Sequence, residues 1–95
     1  MYISGGFNCY PAEIEKLLAA HPAISMVAVT GVPDERMGEV GKAWIVLRPE
    51  AVLSQAELIA WARENMANYK IPRTVAFLSD VPRNAAGKIA KLELR

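Results

Sequence analysis

Residues 24–48 read ISMVAVTGVPDERMGEVGKAWIVLR, and this stretch decides the fold class. It contains two apolar runs typical of β-strands, 24–32 and 41–48, separated by the eight residues 33–40. A hairpin loop usually has about two to five residues. We therefore predict two strands joined by a long acidic loop. Such a loop is either a solvated connection or a functional one, because long ordered loops often carry binding residues.

The predicted strands do not alternate between apolar and polar residues. Residues 43–47 are all apolar, and so are residues 75–78 of a third predicted strand. Alternation is typical of a strand with one buried face, whereas an unbroken apolar run indicates burial on both faces. Two helices can cover one face of a three-stranded sheet. The other face is covered either by a partner domain or by loops and the C-terminal segment, and the sequence leaves both open.

Two helices are predicted around this hairpin. The first begins near Pro11, since proline is tolerated in the first turn, and ends before His21-Pro22. The second begins at the capping box 54–57 and runs to about Asn68. A short extended piece broken by Gly5-Gly6 precedes them. The expected fold is α+β, a small three-stranded antiparallel sheet with helices packed on it and a short N-terminal strand and turn.

Length and composition exclude several classes of protein. Ninety-five residues make one domain, with no room for both a nucleotide-binding and a substrate-binding domain. A net charge of +1 offers no general electrostatic attraction for nucleic acid. One cysteine and one histidine exclude an internal disulfide and a site built from several of either residue. No run approaches the ~18 apolar residues of a membrane span, and no signal peptide is recognisable, so we expect a cytoplasmic domain.

Positive charge is concentrated at the C-terminal end. Residues 70–95 carry six basic and two acidic side chains, whereas residues 1–69 carry five basic and eight acidic ones. Within the basic end, Gly87-Lys88 is a candidate anion site, because a lysine beside glycine N–H groups attracts phosphate. It is not a P-loop, because Pro82 stands where that motif requires glycine.

Four segments in order resemble the C-terminal domain of acyl-CoA synthetases, members of the adenylate-forming superfamily with nonribosomal-peptide adenylation domains and firefly luciferase. They are ISGGFNCYPAEIE (3–15), GVPDERMGE (31–39), YKIPR (69–73) and PRNAAGKI (82–89). The resemblance implies that residues 1–95 are one domain, the mobile lid of an ATP-dependent fatty- or aromatic-acid–CoA ligase. The large N-terminal domain that binds ATP and the acid would then be absent, and the fragment alone would be inactive.

The resemblance also implies roles for individual residues. Lys88 would be the catalytic lysine of acyl-adenylate formation. After the domain swings, Gly5 and Gly6 would line the pantetheine tunnel, and Met37, where relatives often have tryptophan, would border the path of coenzyme A. Tyr69 would stack on the coenzyme A adenine.

Arg73 would lie near the phosphates of coenzyme A. ATP and coenzyme A would be co-substrates, with Mg²⁺ held mostly by the absent domain. The implied partners are the protein's own N-terminal domain and a carboxylic acid, with no nucleic acid and no transmembrane segment.

Two alternatives remain open. One is a free-standing α+β module whose basic end binds a nucleotide or an acidic partner without chemistry. The other is the C-terminal subdomain of an adenylation domain that loads a carrier protein.

Overall fold

A computed structural model describes residues 1–79 of the chain. Its helices and strands follow one another as β1 (Tyr2–Ser4), β2 (Phe7–Cys9), α1 (Pro11–Leu18), β3 (Ile24–Asp34), β4 (Gly38–Leu47), α2 (Gln55–Asn65), a 3-10 turn (Asn68–Lys70) and β5 (Thr74–Leu78). These elements form a sheet with helices packed on it, so the α+β class is confirmed.

Strand β4 organises the sheet. It pairs antiparallel with β3 along one edge, and its other edge carries β1 at Gly38 and β5 from Lys42 to Val46. Strand β2 extends the sheet beyond β1. Within residues 1–79 the sheet therefore has five strands rather than the predicted three. It is also mixed, because β5 is parallel to β4: the chain between them crosses over through α2 and returns in the same direction.

The predicted long loop over residues 33–40 is wrong, because most of it belongs to the hairpin. Pro33 pairs with Glu39 and Asp34 with Gly38, which leaves a turn of three residues, 35–37. The Asp34 carboxylate accepts hydrogen bonds from the backbone N–H groups of Arg36 and Met37, at 3.1 and 2.8 Å. Gly38 supplies the left-handed conformation, with φ of 83°, that commonly closes a three-residue hairpin loop.

The unbroken apolar run of β4 is buried on both faces of the sheet. Ala43 and Ile45 face the main core, which also contains Ile14 and Leu18 of α1 and Leu58 of α2. On the opposite face Trp44 and Ala28 form a second cluster, against which Ala76 and Leu78 of β5 pack. Trp44 is only 6% exposed, and its indole N–H donates to the Thr30 hydroxyl at 2.9 Å. Burial on both faces explains the missing alternation. The two alternatives for what covers the outer face, a partner domain or loops and the C-terminal segment, both stay predictions.

Both predicted helices form, and they end two and about three residues early, respectively. Helix α1 begins at Pro11 and ends at Leu18. The capping box of α2 is confirmed: the Ser54 hydroxyl accepts from the Glu57 N–H at 3.1 Å, and the Glu57 carboxylate accepts from the Ser54 N–H at 3.2 Å. Helix α2 ends at Asn65, because Met66 and Ala67 adopt extended backbone before the 3-10 turn.

Two glycines allow a tyrosine ring to lie against the sheet. A Cβ atom added to Gly41 would lie 2.3 Å from Tyr2 Oη, and one added to Gly31 would lie 2.6 Å from Tyr2 Cβ. Tyr2 is 3% exposed, and its hydroxyl has no hydrogen-bond partner among the described residues. Burial raises the pKa of Tyr2 well above its ordinary value. Strand β1 is thus fixed to β3 and β4 by an aromatic ring whose hydroxyl, near the Cys9 thiol, makes no hydrogen bond within residues 1–79.

Tyr2→Phe should therefore raise the free energy of unfolding by about 1 kcal/mol, because it removes a buried hydroxyl that has no hydrogen-bond partner in the described part of the chain. Gly41→Ala should lower it by about 1–3 kcal/mol through overpacking. In the double variant Tyr2→Phe should recover part of that loss, since it deletes the nearest clashing atom. Urea unfolding of the four proteins measures the coupling. A destabilised Tyr2→Phe variant would contradict the absence of a partner for the hydroxyl.

Candidate functional site

The Gly5-Gly6 turn joins β1 to β2 and packs against the β3–β4 hairpin. Both residues have positive φ, 55° and 87°. The Gly5 N–H donates to the Met37 carbonyl at 3.0 Å, and a Cβ atom on Gly5 would lie 2.5 Å from Met37 Cε. A Cβ atom on Gly6 would meet no atom of residues 1–79 within 4 Å. Gly5 is therefore held by packing, whereas Gly6 leaves open backbone that a ligand can approach closely.

A pocket of about 400 Å³ opens beside this turn. Its lining includes Met37 and Arg73, two residues predicted to bind the coenzyme that are 36 positions apart in the sequence. The backbone N–H of Arg73 donates to the Gly41 carbonyl at 2.9 Å, which fixes the start of β5 against β4. Because Gly5 packs against Met37, the glycine turn adjoins the wall of the pocket that Met37 forms.

Three further lining residues were not predicted: Asp34, Arg36 and Val40. Asp34 and Arg36 lie inside the segment 31–39 on which the resemblance rests. Because residues 33–40 were expected to form a long loop, the sequence did not indicate which residues lie next to them. Only the tight turn brings them beside Arg73. Val40 is 6% exposed and belongs to β4. An alternating pattern of buried and exposed residues along the hairpin would have been the sequence signal that pointed to it.

Tyr69 is not part of this pocket lining. Its half-buried ring stacks on Phe7, with centroids 4.7 Å apart and planes 14° from parallel. The Cys9 thiol donates to the Tyr69 carbonyl at 3.3 Å, and burial raises the pKa of that thiol. Phe7 is 55% exposed and directly follows Gly6, so the aromatic pair adjoins the glycine turn. Sequence reasoning missed Phe7, although an aromatic residue beside Gly-Gly was visible.

An ion pair anchors the 3-10 turn that carries Tyr69. The Lys70 amine contacts the Glu13 carboxylate of α1, and the pKa of Lys70 is raised by this hydrogen bond. The pair joins residues 57 positions apart, close to where the thiol of Cys9 holds the same turn. The turn is thus attached to α1 and β2, and the Tyr69 ring is fixed in orientation.

Lys88, the predicted catalytic residue, lies outside the described residues. Within residues 1–79 no group of three or more His, Cys, Asp or Glu side chains could hold a metal ion. No helix in this same part of the chain is long and apolar enough to cross a membrane.

A comparison with protein families identifies the family to which this chain belongs. Residues 13–88 match the model of the AMP-binding enzyme C-terminal domain. The chain belongs to this family. The resemblance to acyl-CoA synthetases is thereby confirmed, and this AMP-binding enzyme C-terminal domain joins the glycine turn, the pocket and the stacked aromatic pair on one sheet.

Relatives of this domain are CoA ligases by name. It is 55% identical, over its whole length, to a 3-(7a-methyl-1,5-dioxo-octahydro-1H-inden-4-yl)propanoyl:CoA ligase of Mycobacterium tuberculosis, of which it covers 19%. It is 47% identical over its whole length to a feruloyl-CoA synthase of Amycolatopsis, again covering 19%. The ATP-bound structure of MatB from Rhodopseudomonas palustris superimposes with a TM-score of 0.94 at 38% identity, covering all of this chain and 19% of that one. The chain thus spans about one-fifth of the proteins it matches.

Proposed function

We propose that the chain is the mobile C-terminal domain of an AMP-forming acid–CoA ligase. The observation that carries the proposal is the family match over residues 13–88, in a chain similar over its whole length to named CoA ligases. The names of these relatives favour coenzyme A as the acyl acceptor over a carrier protein. The large domain would contribute the ATP, acid and Mg²⁺ sites, and the protein would work in the cytoplasm.

The reaction would proceed in two steps. First, a carboxylate oxygen attacks the α-phosphorus of ATP, forming an acyl-adenylate and releasing pyrophosphate. Lys88 would stabilise the negative charge that develops between the acid and the nucleotide. Second, the domain rotates and the thiolate of coenzyme A attacks the acyl carbon, which forms the thioester and expels AMP. A lysine on a mobile domain can serve the first step and be withdrawn for the second.

The residues described here would serve the second step. Gly6 exposes backbone along which the pantetheine arm would pass, and Met37 would border that path. Arg73 would contact coenzyme phosphates, and the Tyr69 ring, fixed by Phe7, would stack on the adenine. The Gly5–Met37 contact supports a single continuous surface for these roles.

A domain graft tests the proposal. Residues 1–95 would replace the homologous region of the 55% identical M. tuberculosis ligase, with the parent enzyme and a truncated parent as controls. We expect the graft to form CoA thioester from the parent's acid, and the truncated parent and the 95-residue chain alone to form none. A folded graft that forms neither acyl-adenylate nor thioester would refute the proposal.

A further inference from the structure

The pocket beside the hairpin turn carries an excess of positive charge. Among residues 1–79, two guanidinium groups, those of Arg36 and Arg73, and one carboxylate, that of Asp34, line it. Both arginines are exposed, so they can turn toward a ligand without breaking internal contacts. The Asp34 carboxylate oxygen Oδ2 already accepts two backbone N–H groups. The pocket therefore favours an anion.

The backbones of both arginines are fixed relative to each other. The N–H of Arg36 donates to the Asp34 carboxylate at 3.1 Å within the three-residue turn. The N–H of Arg73 donates to the Gly41 carbonyl of β4 at 2.9 Å. Val40, buried in β4, and the Met37 side chain supply the apolar part of the wall. A pair of guanidinium groups on rigid supports beside an apolar wall suits a phosphate attached to an organic group.

We propose that Arg36 acts with Arg73 to bind a phosphate of the nucleotide half of coenzyme A. This inference rests on the proposed function, and it adds Arg36, which has no role in the reaction as described above. Arginine suits this role because its planar fork of N–H donors matches the spacing of phosphate oxygens. The pantetheine arm can then extend from the pocket past Met37 to the glycine turn that contacts it.

The test is titration of the 95-residue chain with coenzyme A and with pantetheine, which lacks the nucleotide, by calorimetry. Arg36→Gln should weaken the binding of coenzyme A by roughly tenfold, because one charged hydrogen-bonding partner is lost. Pantetheine should bind wild type and variant alike. Salt should weaken the binding of coenzyme A more in the wild type than in Arg36→Gln, since exposed ionic contacts are screened.

Arg48→Gln is the matched control. It removes the same charge at an exposed position after Leu47, at the opposite end of β4 from the pocket and roughly 25 Å from Val40 by strand rise. It should leave the affinity for coenzyme A unchanged. Equal affinity of wild type and Arg36→Gln would overturn the inference, as would equal loss in both variants.

The inference and the proposed function can fail separately. If the graft forms thioester but the chain binds no coenzyme A, or binds it independently of Arg36, only the role of Arg36 is refuted. If the folded graft is inactive, the proposed function fails. Tighter binding of a short RNA than of coenzyme A would overturn the inference, because it would indicate a general polyanion surface.

Discussion

Lys88→Ala in the grafted enzyme should lower acyl-adenylate formation by about two to three orders of magnitude, the effect of losing a charge that stabilises a transition state. In the proposed reaction negative charge builds up where the acid oxygen meets phosphorus, and alanine supplies no positive charge to stabilise it. The same variant should convert supplied acyl-adenylate to thioester at nearly the wild-type rate, because the role proposed for Lys88 is confined to the first step. Pyrophosphate exchange measures the first step, and single-turnover thioester formation the second.

Lys91→Ala is the control, since it removes an equal charge three residues further along the chain. It should leave both half-reactions within a small factor of the wild type. If Lys88→Ala slows both steps equally, Lys88 supports the domain rather than the first step. If it slows neither, the role assigned by the resemblance is wrong.

Gly6→Leu should slow thioester formation by about a hundredfold more than adenylation, a loss comparable to that from misplacing a reactant by about 1 Å. Gly6 has φ of 87°, and a Cβ atom there would meet nothing within 4 Å of the described structure. A leucine side chain would therefore project into open space without an internal clash. We propose that this space holds the pantetheine arm after rotation, so the side chain would block the thiol.

Gly6→Ala separates obstruction from backbone strain. Alanine and leucine both face the same left-handed penalty, roughly 1–2 kcal/mol, but only leucine reaches far from the backbone. We expect alanine to slow the thioester step modestly and leucine to abolish most of it, at similar melting temperatures. Equal effects of the two substitutions on both half-reactions would show that the glycine serves the turn alone.

In the β3–β4 hairpin, strand pairing overrides the structure that the local sequence indicates. Pro33 and the acidic run 33–40 read as a loop, because proline and charged residues are rare inside strands. The structure places Pro33 on β3, which among the strands of residues 1–79 pairs with β4 alone, and proline is tolerated on such an edge strand. Asp34 closes the turn through its side chain, a contact that composition does not reveal.

The coenzyme site was predictable only in part. Gly5, Gly6, Met37, Tyr69 and Arg73 were named from their motifs, and the structure brings Met37 and Arg73 to one pocket with Gly5 beside it. Tyr69 lies apart from that pocket and stacks on Phe7 instead. These assignments stay predictions, as does the role of Lys88. Motifs indicate which residue types a reaction requires, but not which side chains meet across strands.

By itself the sequence determined the family, the α+β class, the helix starts at Pro11 and Ser54, and the double burial of β4, because caps and apolar runs are local patterns. Only the tertiary structure decided that β5 runs parallel to β4, that Tyr2 covers Gly41, and that Arg36 shares a pocket with Arg73. These features depend on contacts between residues about 30 to 40 positions apart. Such contacts follow from chain direction and strand register, which no local stretch of sequence encodes.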